Sequence, residues 1–208
     1  MGTRERRERE RKMRKNQILS AARELLAENG IAGTSMNQIA ERAELSVGTL
    51  YIYFKNKEDL YASLQEEGLD LLYDSITKAV EKGGTPLDKL RQIARTYLKF
   101  SEKEKNYFEI INYFLTTPEI VFPQELKERI DAHGNKIVRL VEDILKKNTI
   151  STYAPEKELR RHAIVFWSSL HGLLQFRKLE STILKGMSFL DIYLYCAEIV
   201  LESFKAKT

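Results

Sequence analysis

Cysteine is almost missing from this chain. Cys196 stands alone, so no disulfide can form within one molecule. It lies in an apolar stretch and is expected to act as a small buried hydrophobe rather than a reactive thiol. No apolar run reaches the ~18–20 residues that a membrane span needs. No apolar run follows the charged N-terminus either, so no signal peptide is expected and the reading is cytoplasmic. Sustained period-2 alternation broken by turn dipeptides is missing, which argues against a sheet. Gly-rich phosphate loops and a GxSxG nucleophile turn are missing too. The three histidines, His133, His162 and His171, lack metal-ligand spacing with one another or with Cys196. No catalytic constellation, cofactor or metal is therefore expected. Nor is there a strong charge of one sign: 34 Lys and Arg face 30 Asp and Glu, a net +4 with a pI near 9.0.

What remains is helical grammar. Apolar residues recur at helical spacing, and caps punctuate them. Ile18, Ala22, Leu25 and Leu26 form the inner stripe of a long first helix, with Gly30 as its left-handed stop. Ser35 and Gln38 make a capping box, and Ile39, Ala40 and Ala43 form the buried side of the short helix that follows. Ser46 caps a third helix that turns Leu50 and Phe54 inward, one turn apart. Asn56 caps a fourth, which ends at Gly83-Gly84. Thr85-Pro86 opens the next, with Pro86 at the first helical position, where its missing N–H costs nothing. Pro118 and Pro123 mark an irregular connection before a helix over residues 124–147. Pro155 precedes a helix running to residue 180, and Ser188 with Asp191 caps the last, ending near Phe204. The chain is thus expected to be all-α, with about nine helices.

Residues 35–54 have the spacing of a helix-turn-helix, two short helices around Glu44-Leu45-Ser46, in which the second helix enters the major groove. Ser46 and Gly48 sit where free N–H groups and the helix dipole favour phosphate. Gly48 lets backbone approach backbone closely. Because Leu50 and Phe54 serve the core, Thr49, Tyr51, Ile52 and Tyr53 are left to face outward.

The runs Gly30-Ile31-Ala32-Gly33-Thr34-Ser35-Met36-Asn37-Gln38-Ile39-Ala40 and Ser46-Val47-Gly48-Thr49-Leu50-Tyr51-Ile52-Tyr53-Phe54-Lys55-Asn56-Lys57 resemble the DNA-binding domain of the TetR family of bacterial repressors. The resemblance covers about residues 15–62. It implies an all-α dimer: a three-helix helix-turn-helix domain over residues 1–60 and a roughly six-helix ligand-binding and dimerisation domain over 61–208. It implies that Ser35, Ser46, Val47 and Gly48 contact mainly phosphates of operator DNA, that Lys57 binds its backbone, and that Asn37 is also DNA-binding. Thr49, Tyr51, Ile52 and Tyr53 would lie in or beside the groove. Ile52 could meet a thymine methyl or pack on the fourth helix.

Two regions stay open. Residues 1–14 form a charged arm or a helix extension, and most of the excess positive charge lies before residue 16. As an arm it would lie on phosphates or in the minor groove; as an extension it would be a solvated helix with i,i+4 pairs. Farther on, Tyr97, Phe100, Tyr107, Phe108, Ile111, Phe114, Trp167 and His171 are candidates for an apolar effector pocket, although such stripes more often serve a core. The run Trp167-Ser168-Ser169-Leu170-His171-Gly172 resembles a short Trp…His-Gly signature of some TetR-family C-terminal domains. The expected partners are double-stranded operator DNA, a second copy of the chain and a small apolar effector. The competing expectation is a nucleoid-associated protein that binds DNA without sequence preference or ligand response.

Overall fold

A computed structural model describes residues 2–116, 123–147 and 155–204. Nine α-helices and one 3₁₀ turn account for nearly all of them: α1 Thr3–Asn29, α2 Met36–Arg42, α3 Val47–Tyr53, α4 Lys57–Val80, α5 Pro86–Lys103, α6 Lys105–Thr116, α7 Gln124–Lys146, α8 Glu156–Phe176 and α9 Phe189–Ser203. No strand occurs among the described residues, and no helix there is long and apolar enough to cross a membrane. Pro118 lies outside the described residues.

The caps read from the sequence do their work. The Ser35 hydroxyl accepts from Gln38 N while the Gln38 side chain accepts from Ser35 N at 2.8 Å. Ser46 accepts from Thr49 N, Asn56 from Asp59 N and Ser188 from Asp191 N. Thr85 and Asp88 satisfy each other reciprocally across Pro86. One stop differs in detail. Gly30 has φ 67° but ψ −178°, a conformation open to glycine rather than the left-handed helical one. Among the described residues, Glu44, φ 53°, inside the helix-turn-helix turn, is the non-glycine residue with positive φ.

The chain divides into two compact units. The first comprises residues Met1–Leu69 and Glu104–Ile130, the second Asp70–Lys103 and Asp131–Thr208. In the first, Ile18, Ala22, Leu26, Ile39, Leu50, Phe54, Leu60 and Leu64 form one apolar core, and Ile110 of α6 belongs to it. In the second, Leu90, Ile93, Ala94 and Tyr97 of α5 pack with Phe166 and Leu170 of α8 and Tyr193 and Ala197 of α9, all buried. Cys196 is half-buried rather than enclosed, and burial pushes its thiol pKa up.

Candidate functional site

In the first unit, α2 and α3 are each seven residues long, only two turns, so each must be held by its cap and a few buried side chains. Leu50 is fully buried and Phe54 nearly so. Gln17 of α1 donates to Ala43 O at 2.7 Å, which ties the end of α2 to the first helix. Arg42 holds Glu28 through both nitrogens, at 2.9 and 2.8 Å, and also reaches Glu24. The helix-turn-helix is therefore pinned to α1 from two directions.

With Leu50 turned in, α3 turns Tyr51 and Ile52 out, whereas Val47 and Tyr53 pack partly against the core rather than facing fully outward. Tyr51 is 50% exposed and Ile52 76%. Ile52 therefore leaves most of its surface open rather than packed within the chain. Ser35, Asn37, Ser46 and Gly48 are exposed, and Val47, Thr49 and Tyr53 half-buried. Ser46 Oγ lies 2.8 Å from Thr49 Oγ1, so the two hydroxyls already share a hydrogen bond at the start of α3. A Cβ on Gly48 would meet only Ser46 Oγ, at 3.9 Å, so the chain's own packing does not demand a glycine there.

Lys57 is more engaged than expected. Its ammonium donates to Ile31 O at 2.9 Å and sits 5.3 Å from the centre of the Tyr61 ring. Desolvation lowers its pKa. An ammonium has three donors, and Ile31 takes one.

The eight aromatic and apolar pocket candidates fall into two groups. Tyr107, Phe108, Ile111 and Phe114 belong to the first unit, where Phe114 packs on the helix-turn-helix core. Tyr107 OH donates to Glu67 at 3.2 Å and accepts from Arg23 at 3.0 Å, and a Cβ on Gly68 would come within 2.8 Å of the Tyr107 Cβ and 2.9 Å of its ring. Arg129 of α7 grips the same helix α4, reaching Asp59 at 3.2 Å, Ser63 at 3.4 Å and Glu66 at 2.9 Å. Aromatic content alone cannot tell which core a ring will serve. The sequence carries no signal for Arg129 or Arg23, whose acidic partners are distant along the chain.

Tyr97, Phe100, Trp167 and His171 stay together in the second unit. The Tyr97 and Trp167 rings are 4.4 Å apart at 33°. Tyr97 Oη lies 2.6 Å from His171 Nδ1. Desolvation pushes the Tyr97 pKa up and the His171 pKa down, so both are held neutral. Tyr193 of α9 donates to Ala94 O at 3.0 Å and closes the same core.

Two family models match this chain: "Bacterial regulatory proteins, tetR family" over residues 18–64, and "Tetracyclin repressor-like, C-terminal domain" over 90–187. The chain belongs to the TetR family. The first match falls on the helix-turn-helix and the start of α4, and the second runs from α5 to the segment before α9. Among curated relatives, this TetR protein is 28% identical over 119 residues to the fatty acid metabolism regulator protein of Bacillus subtilis, 57% of this chain and 61% of that one. Two further curated matches span half of the relatives' length or less, whereas the HTH-type transcriptional regulator PksA of Bacillus subtilis is 26% identical over 201 residues, 92% of this chain and 94% of that one. Among solved structures, FadR from Bacillus subtilis in complex with stearoyl-CoA aligns with TM-score 0.67 at 21% identity, covering 92% of this chain and 98% of that one. AibR in complex with isovaleryl coenzyme A and operator DNA aligns with TM-score 0.64 at 20% identity, covering 89% and 97%. At those identities the structural likeness establishes the TetR fold.

Proposed function

We propose that this TetR protein is a homodimeric, ligand-responsive transcriptional regulator, a repressor that leaves its operator when it binds a small apolar molecule. The observation that carries this is the outward face of α3. Leu50 and Phe54 already supply its packing, yet Tyr51 and Ile52 are set in the open beside Ser46, Gly48 and Thr49. Exposed apolar side chains on a capped two-turn helix are costly in water and useful in a groove that presents thymine methyls and base edges. Residues 1–60 would read DNA, with Ser35, Asn37, Ser46, Val47, Gly48 and Lys57 on or near phosphates and Thr49, Tyr51, Ile52 and Tyr53 at the groove. Residues 61–208 would bind the effector and the second copy, and the protein would work in the cytoplasm, where its DNA is.

The effector reading rests on the Tyr97–Trp167–His171 cluster, apolar rings around one polar pair. It also rests on the acyl-coenzyme A compounds named for two structural neighbours. An acyl-CoA is the effector class to test first. The dimer reading rests on α8 and α9, which leave Ile164, Val165 and Phe176, and Leu190, Tyr195 and Ile199, 44–69% exposed. Two reading heads then match half-sites about 34–36 Å apart. A ligand that prefers another spacing weakens binding by its differential affinity, of order 1–3 kcal/mol.

The test is a gel shift on DNA from the gene's own upstream region and on duplexes selected from a random pool, with nonspecific competitor. A discrete competitor-resistant complex, released by stearoyl-CoA or isovaleryl-CoA, supports the proposal. Trp167 is the only tryptophan, so its fluorescence reports binding directly. Smearing that competitor abolishes, with no effect of either acyl-CoA, would favour the nonspecific alternative.

A further inference from the structure

Charge within residues 1–60 is divided unevenly. Residues 16–60 carry four cations, Arg23, Arg42, Lys55 and Lys57, against six carboxylates, Glu24, Glu28, Glu41, Glu44, Glu58 and Asp59. Residues 16–60 are therefore net −2, the wrong sign for a phosphate polymer. Its cations are also committed: Arg42 to Glu24 and Glu28, Arg23 to Glu67 and Tyr107, Lys57 to Ile31 O, and Lys55 to Glu125 at 3.8 Å. Residues 4–15 carry eight Lys and Arg against three Glu, net +5. The attraction for DNA resides in the segment that the core does not use.

That segment is helical from Thr3, continuous with the rest of α1. Arg4–Glu8 and Arg6–Glu10 pairs, i to i+4, brace it from within. Its root is fixed to the helix-turn-helix. Arg14 donates to Gln17 at 2.9 Å, Gln17 donates to Ala43 O, and the Lys15 ammonium lies 5.5 Å from the centre of the Phe54 ring. Arg7, Arg11 and Arg14, spaced i, i+4, i+7, line one open groove whose other side is Ile52 and Tyr53 of α3. Glu10 also lines it but is held by Arg6. Among the described residues, Arg7 and Arg11 have no acidic partner in hydrogen-bonding contact. Successive turns put these guanidiniums along about 10 Å of helix, beside the residues that face the DNA groove.

We infer that the N-terminal extension of α1 is a phosphate clamp: Arg7, Arg11 and Arg14 grip the DNA backbone flanking the groove that α3 enters. The clamp supplies most of the electrostatic affinity that the head itself lacks. This rests on the proposed DNA-reading function and adds which residues carry its salt dependence. Arg forks suit phosphate oxygens, and each neutralised phosphate releases condensed counterions.

The full-length protein is titrated with a duplex that it selects from a random pool, over a series of KCl concentrations. Two charge-matched doubles are compared: Arg7→Gln with Arg11→Gln on the groove, and Arg9→Gln with Lys12→Gln off it. Circular dichroism checks that helix content is retained. The expected result is that the groove double shallows the slope of log affinity against log salt by about 1.8 units, 0.9 per contact. The other double should change it by less than half a unit. Equal slopes in both doubles would mean diffuse steering, and an unchanged groove double would mean no contact; either overturns the clamp and leaves operator reading intact. A wild-type protein that enriches no duplex overturns both.

Discussion

Of the surfaces that expose apolar side chains, those of α3 and of the α8–α9 pair differ in every other respect. On α3 the exposed residues, Tyr51 and Ile52, are adjacent on a helix about 10 Å long, with a serine cap and a glycine at one end. On α8 and α9 they recur along two helices of 21 and 15 residues, and Ile164, Ser168, Gly172 and Phe176 follow one another at i+4. A short patch among hydroxyls and backbone donors suits a polar groove with scattered methyl groups. A long stripe with small residues between large ones suits another helix packed closely against it. Extent and company, rather than hydrophobicity, separate a DNA-facing surface from a protein-facing one.

The largest expected effect breaks the second surface. Val165→Glu with Ile199→Glu places charge in the stripe and should halve the mass measured by light scattering. Operator affinity should fall by on the order of 10² or more as the two heads lose their linkage. A dimer that persists with unchanged affinity would show that the stripe faces solvent. Next, Leu50→Ala tests the inner face of α3. It removes a fully buried side chain and should cost about 2–5 kcal/mol in urea unfolding. Tyr51→Ala tests the outer face of the same helix. Stability should be unchanged, while operator binding weakens by about 1–3 kcal/mol. If Tyr51→Ala instead lowers stability as Leu50→Ala does, the inside–outside division of α3 is wrong.

The smallest effect concerns the core beneath the stripe. Unfolded His171 titrates near pH 6.5, and desolvation holds it lower in the folded chain. Below about pH 6.5 the unfolded state therefore binds the extra proton, and stability falls as pH drops. His171→Gln should flatten this part of the melting-temperature profile between pH 7 and 5. An unaltered profile would assign the acid sensitivity to other groups.

Much of the head was legible because short helices depend on local signals. Ser35, Ser46 and Asn56 each announce a helix start through a bond made within four residues. The inward pair Leu50 and Phe54 leaves the outward residues by subtraction. The second half was legible as helices but not as a site. Phe114 looks like Phe100 in sequence, yet it packs on the head core, because periodicity fixes which face is apolar and not what the face meets. The extension was ambiguous for a related reason. Arg4–Glu8 and Arg6–Glu10 pair along the helix, but which side of α1 runs beside α3 depends on the Gln17–Ala43 contact, 26 residues apart.

The grip on α4 has a mechanical consequence. An α-helix of 24 residues is a rod about 36 Å long and stiff in torsion. Its first three turns are held in a vise, Arg129 on Asp59, Ser63 and Glu66 from one jaw, the Tyr107 ring hard against Gly68 from the other. Slack there is small, since even a methyl group at position 68 would collide. Within this unit α4, α6 and α7 are thus joined in one piece, and Phe54, two residues before the Asn56 cap of α4, seats α3 on that piece.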